Sequence, residues 1–311
     1  MNESETDTKM SSFEKVFYPC LLTLHLDIFL TLQDIVHLRC TNRYFSSVQK
    51  NYNLLHVPLQ GIRFDSLISR IQFTRHKKNK YFLQYLFSNY KITHLKYGQD
   101  RDYYSLFSKP LSVAFQSLHS SLQHLEFSKD FDKSINLDKF INLTDISFGL
   151  YYNKNLYFNN LCFLKTITLG LCFDKKIFFN NLVSLSILKF GNFFNRPLYN
   201  LPKNLKILEF GFFFNQKISL PIHLECIIFG DRFDKYIIFP DSVKKIFFGS
   251  NFGLLTKQVT VLPPYLTHLR IGIFFDENII IPNTLEYLEV PFNFSETFIS
   301  NIAKNVVIKK Y

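Results

Sequence analysis

Tryptophan is absent from this chain of 311 residues, methionine occurs twice and glycine ten times. Indole rings therefore play no part in its interior, and 37 phenylalanines and 17 tyrosines supply the aromatic mass. Cysteine is scarce too. Cys20, Cys40, Cys162, Cys172 and Cys226 form no CxxC pair and are odd in number. That pattern excludes a zinc ribbon and a closed disulfide framework, and reads as free thiols in a reducing, intracellular compartment. No apolar run reaches the length of about 18 residues that a transmembrane helix needs. The first residues, MNESETDTKMSSFEK, are polar and acidic, unlike a signal peptide. There is no P-loop, no dinucleotide-binding glycine pattern, no HExxH and no GxSxG. The nine histidines are scattered. No catalytic constellation emerges, so the chain is expected not to be an enzyme and to need no cofactor or metal.

Hydrophobic residues make up 47% of the sequence, enough for a large or an extended core. The formal net charge is +11, dispersed along the chain apart from one cluster, RHKKNK at 75 to 80. Dispersed lysines read as a solvated surface, so neither nucleic acid nor membrane is an expected partner.

The dominant feature is a repeat. FGNFFNRPL (190 to 198), FGFFFNQKI (210 to 218) and FGDRFDKYI (229 to 237) are versions of one string. The full unit is L-x-x-L-x-F-G-x-x-F-[N/D]-x-x-I. It begins at Leu122, Leu143, Leu164, Leu185, Leu205, Leu224, Val243, Leu266 and Leu285, at intervals of 19 to 23 residues. A weaker copy, ITHLKYG, begins at Ile92. A period near 20 with L-x-x-L-x-L spacing points to a leucine-rich-repeat-like solenoid. Positions 4 and 6 of the unit alternate as strand residues do, so one strand per repeat would build a parallel sheet. The glycine at position 7 is expected to let the chain turn off the sheet at a backbone angle other residues resist.

Position 10 is aromatic throughout: Phe131, Tyr152, Phe173, Phe194, Phe214, Phe233, Phe252, Phe275 and Phe294. These rings are expected to point inward and stack into a spine. The next residue is usually Asn or Asp, whose side chain can bond backbone groups that a loop leaves unpaired. Calcium does not fit this row, because the remaining oxygen ligands are missing.

Residues 13 to 57 lack the repeat. Apolar residues there recur every three or four positions, at Leu22, Leu26, Phe29, Leu30, Ile35 and Leu38, which predicts helices, with Pro19 at a helix start. NKYFLQYLFSNY, 79 to 90, predicts a further helix.

Two resemblances meet here. LPKNLKILEFGFFFNQKI (201 to 218), LPIHLECIIFGDRFDKYI (220 to 237) and LPPYLTHLRIGIFFDENI (262 to 279) resemble the FNIP repeat, a relative of the leucine-rich repeat. Asp stands for Asn in several copies. The N-terminal segment resembles an F-box: Tyr18-Pro19 fall on its opening pair, Phe29-Leu30 on a helix end and Asp34-Ile35 on the next helix start. Together they resemble F-box and FNIP repeat-containing proteins. That resemblance implies a non-catalytic substrate-recognition subunit of an SCF-type E3 ubiquitin ligase. Pro19, Leu22, Leu26, Leu30 and Ile35 would serve a Skp-type adaptor and, through it, a cullin-RING ligase. The alternative is a repeat-only interaction scaffold whose N-terminal helices cap the solenoid.

The expected fold is thus a short all-α F-box-like module followed by a leucine-rich-repeat-like solenoid with a parallel β-sheet. Its expected organisation is a disordered 1–12, the helical module 13–57, a connector 58–91, an atypical repeat 92–121, the repeats 122–300 and a tail 301–311. A monomer is expected, in the cytoplasm (the host's, if the protein is viral). The outward strand positions, three and five, are the expected binding face for a substrate protein. Its centre would be Ile187, Ile207, Cys226, Ile228 and Phe247, with Lys189, Glu209 and Lys245 alongside.

Overall fold

The computed structural model of the chain describes residues 70–72, 93–97, 116–253, 261–275, 280–294 and 305–311. The chain divides into two compact units, Met1–Leu125 and Glu126–Tyr311.

In the first unit, β1 (Arg70–Gln72) pairs in parallel with β2 (His94–Tyr97). A six-residue helix, α1 (Gln116–Ser121), precedes β3 (His124–Phe127), which spans the unit boundary. The backbone N–H groups of Gln123 and His124 both donate to Thr93 O at 2.9 Å, and the rings of His94 and His124 stack 4.0 Å apart.

The second unit is a stack of repeats. Its strands are β4 (Asp145–Ser147), β5 (Thr166–Thr168), β6 (Ile187–Lys189), β7 (Ile207–Glu209), β8 (Cys226–Ile228), β9 (Lys245–Phe247), β10 (His268–Arg270), β11 (Tyr287–Val290) and β12 (Val307–Lys310). Each pairs in parallel with the next, in chain order. The last of them lies in the stretch expected to be a tail.

These three- and four-residue strands follow from alternation. The central residue of each from β4 to β10 is buried and its two neighbours are not. A turn closes each end of the strand segment. Leu224 N–H donates to Pro221 O at 3.1 Å before β8, and Phe233 N–H donates to Gly230 O at 3.2 Å after it.

The expected aromatic spine is present. Tyr152, Phe173, Phe194, Phe214, Phe233 and Phe252 are buried, with successive ring centroids 6.1 to 6.4 Å apart. A second column, unforeseen as a stack, runs beside it at position 6. Phe190, Phe210, Phe229 and Phe248 are spaced 5.4 to 5.9 Å. Within a repeat the two columns also touch, for example Phe210 against Phe214 at 3.7 Å. Each inner phenylalanine thus meets rings along and across the stack, an arrangement worth about 0.5–1.5 kcal/mol per pair beyond burial.

Two expectations need correction. The all-α F-box-like module at 13–57 lies outside the described residues, where the one helix is α1, six residues long. The fold established by the described residues is a parallel β-solenoid, without the helical module. The reason for the repeat glycines also changes. Among the described glycines only Gly253 has positive φ, at 93°. Gly149, Gly170, Gly191, Gly211, Gly230 and Gly249 are instead needed because a Cβ on each would strike the backbone of the preceding repeat. Absence of a side chain sets how closely the coils approach.

The Asn/Asp row ties the same coils together. Each side-chain oxygen accepts the backbone N–H of the equivalent residue one repeat later. Asn153 N–H donates to Asp132 Oδ1 at 2.9 Å, Asp174 N–H to Asn153 Oδ1 at 3.0 Å and Asn195 N–H to Asp174 Oδ1 at 3.0 Å. The row continues through Asn215, Asp234 and Gly253 at 2.9 to 3.1 Å. Only an acceptor is required, so Asn and Asp both serve.

Candidate functional site

Where β6 to β9 lie side by side, their outward residues form two rows. Strand register places Ile187 beside Ile207, Ile207 beside Cys226 and Cys226 beside Lys245. The second row runs Lys189, Glu209, Ile228 and Phe247 in the same register. Seven of these eight side chains are partly exposed and Lys245 is exposed. A parallel sheet is ordinarily covered on both faces. Here one face packs on the aromatic columns, while the other carries a continuous, partly exposed apolar patch.

Its polar surroundings are ordered. Lys189 Nζ lies 2.9 Å from Glu209 Oε2, a pair across neighbouring strands. Lys245 has no ion-pair partner among the described residues. On β10 and β11, His268 stacks on Tyr287 at 4.5 Å, and its Nδ1 lies 2.9 Å from the Thr267 hydroxyl. Arg270 sits over the Tyr311 ring at 4.1 Å. On the other side, β4 and β5 present Asp145, Ser147, Thr166 and Thr168. The apolar centre therefore has polar flanks on both sides, as interaction surfaces do.

The titratable groups of this face are not arranged for catalysis. Burial pushes the Cys226 thiol above its ordinary range, against the pull of Lys245. A protonated thiol behaves as a small apolar group rather than a nucleophile. Burial, with Lys245 adding to it, holds His268 below the ordinary histidine range. No group of three or more His, Cys, Asp or Glu side chains among the described residues could hold a metal ion. Cys162, Cys172 and Cys226 are free thiols.

All eight residues expected on the strand face are thus brought together. Pro19, Leu22, Leu26, Leu30 and Ile35 lie outside the described residues. Sequence reasoning missed a second exposed feature, at positions 8 and 9 of the repeat. Phe193 and Phe213 stack there at 5.3 Å, and the Arg232 guanidinium lies 5.6 Å from the Phe212 ring. The signal was the two variable positions inside F-G-x-x-F, which hold aromatic residues in consecutive repeats.

The FNIP Repeat family matches residues 214–251. That stretch runs from the spine residue of one repeat through all of the next and into β9 and its turn. The chain thus carries an FNIP repeat. Among solved structures it is similar to CroV588, described as a novel circular LRR protein structure, with 26% identity and a TM-score of 0.51. The match covers 71% of this chain and 40% of that one, so this chain spans well under half of its structural neighbour. No curated protein matches the sequence. The fold is a repeat solenoid with a leucine-rich-repeat-like neighbour. Among the described residues no helix is long and apolar enough to cross a membrane.

Proposed function

We propose that the chain is a non-catalytic protein-interaction scaffold that takes a partner protein on the face of β6 to β9. The observation that carries this reading is the unbroken apolar patch of Ile187, Ile207, Cys226, Ile228 and Phe247, held in strand register and flanked by polar groups. Repeat solenoids of this kind are typical of non-enzymatic interaction proteins, and the FNIP match and the leucine-rich-repeat-like neighbour agree with that class. Short strands on a rigid aromatic stack preorganise the patch, so binding needs little ordering of the receptor.

The test is the double variant Ile207→Ser, Phe247→Ser in affinity capture from the native cell. Both side chains sit on the open face, so the thermal transition should stay close to wild type while the partner is lost. Retention of every wild-type partner by a folded double variant contradicts the proposal. The narrower expectation, a substrate receptor of an SCF-type ligase, depends on residues 13–57 and draws no support from the described residues. Co-purification of a Skp-type adaptor that disappears on deletion of 13–52 would establish it. Undiminished recovery, or no adaptor at all, leaves a repeat-only scaffold.

A further inference from the structure

Charge that is dispersed along the sequence is gathered by the fold. Position 12 of the repeat, next to the Asn/Asp row, is Lys133, Lys154, Lys175, Arg196 and Lys235 in five repeats, and position 13 adds Lys176 and Lys217. The neighbouring carboxylates are Asp132, Asp174 and Asp234. Two of them are already engaged, Asp132 with Lys154 and Asp174 with Arg196, each at 2.7 Å. Asp234 is buried, 4% exposed, and accepts Gly253 N–H. Lys175, Lys176, Lys217 and Lys235 have no ion-pair partner among the described residues. Two of the three carboxylates are thus neutralised within the row, and the remaining lysines leave it a cationic ridge.

Rings protrude beside it. Position 15 is Tyr157, Phe178 and Tyr199 in three consecutive repeats, exposed by 59%, 59% and 74%. A soluble chain gains nothing in folding from leaving aromatic rings this open at the repeat period. A groove of about 320 Å³ brings the two features together: Tyr157 and Phe178 line it with Lys175, Lys176 and Arg196. In the spine beside the ridge, equivalent rings of successive repeats lie 6.1 to 6.4 Å apart. That is wider than the roughly 3.4 Å per nucleotide of a duplex strand. A ligand running along the ridge must therefore be an extended polyanion with flat groups that separate and stack on the rings.

We infer that the ridge formed by Lys154, Lys175, Lys176 and Arg196 with Tyr157, Phe178 and Tyr199 binds single-stranded nucleic acid. Cations follow the phosphates and the exposed rings take unstacked bases, the combination that single-strand binding uses without reading sequence. Duplex fits poorly, because its bases are not available to the rings. The ridge lies apart from the residues of the strand face, so the inference stands independently of the partner proposed there.

The experiment is fluorescence anisotropy of the full chain with a labelled 20-nucleotide oligo-dT and an oligo-U of the same length, against a duplex of equal length. Binding to both single strands, weaker binding to the duplex and a steep loss with salt are expected. Removing a ring by Tyr157→Ala or Phe178→Ala should weaken binding roughly tenfold each. The pair Lys175→Glu, Lys176→Glu should flatten the slope of log K against log salt by about 1.4 or more. The pair Ile207→Ser, Phe247→Ser should change nothing. All the ridge side chains are exposed or half-exposed, so unchanged thermal transitions keep the variants interpretable. The inference is overturned if the oligonucleotides do not bind, if only vesicles containing anionic lipid bind, or if affinity survives the ridge variants and is lost instead on replacing Lys77, Lys78 and Lys80.

Discussion

Replacing Gly211 with alanine tests by sign whether the close approach of the preceding coil requires a glycine there. If the glycine served only backbone freedom, its φ would be positive, yet among the described glycines only Gly253 has positive φ. At an unstrained position Gly→Ala restricts the unfolded chain and stabilises by about 0.4–1 kcal/mol. The structure predicts the reverse. A Cβ at 211 would meet the carbonyl of Gly191 and, at 2.5 Å, the Cα of Asn192. Both are backbone atoms, and the Phe213 N–H bond to Asn192 O, 2.9 Å long, holds the two coils at this separation. Overpacking costs about 1–3 kcal/mol when side chains can yield. With only backbone to move, we expect about 3 kcal/mol, less about 0.7 from the unfolded-state gain, leaving a net loss of about 2 kcal/mol. With a urea slope of about 3 kcal/mol/M, the midpoint should fall by about 0.7 M with the slope unchanged. A midpoint at or above wild type would refute the close-approach argument.

Other consequences of the stack can be read by the same denaturation assay. Phe214 is fully buried between Phe194 and Phe233, each at 6.1 Å, so Phe214→Ala should cost about 3–5 kcal/mol, and Phe214→Leu distinctly less. Asn215→Leu removes the acceptor of Asp234 N–H and should cost about 1–2 kcal/mol. Asn153 stands between Asp132 and Asp174 in the row. Asn153→Asp should therefore destabilise at neutral pH through like charges, with the loss fading as the carboxylates protonate. Burial raises the pKa of Asp132, but Lys154, the Asn153 N–H and Lys133 outweigh it and hold the carboxyl below its ordinary value of 3.8. Its folded pKa is depressed, so its contribution is present above pH 3.8 and is lost as pH falls from there through the folded value. Asp132→Asn should flatten the acid limb of the stability curve in that window.

Much of this architecture was legible because a repeat reports the same constraint many times. The two-residue alternation around Leu208 fixed which side of β7 faces inward, and identical spacing around Ile227 fixed its neighbour, so Ile207 and Cys226 could be paired before any coordinates. The spine was legible for the same reason, from one aromatic residue at a constant offset. What failed was whatever depends on the neighbouring coil. Gly211 reads locally as a turn residue, and only the backbone of Gly191 and Asn192 shows that space, not φ, is at stake. Phe190, Phe210 and Phe229 each looked like single core residues, because stacking between repeats is invisible along one strand. Lys175 and Arg196 are 21 residues apart in sequence and neighbours on the ridge, so a scan for local charge clusters passed over them. The helical reading of 13–57 rested on a short period without repetition to check it.

If a partner protein sits on the face of β6 to β9, residues of that face lie within crosslinking reach of it. Photocrosslinking tests this most directly, with a photoreactive phenylalanine analogue placed at Ile207, at Phe247 or at Ile222. Ile222 is 67% exposed but lies off the sheet, at the end of the repeat that carries β7. One partner adduct is expected from positions 207 and 247 and none from 222, and the adduct from 207 should be competed away by unlabelled wild-type protein but not by the Ile207→Ser, Phe247→Ser variant. Adducts from 222 alone, or competition by that variant equal to wild type, would contradict the proposal.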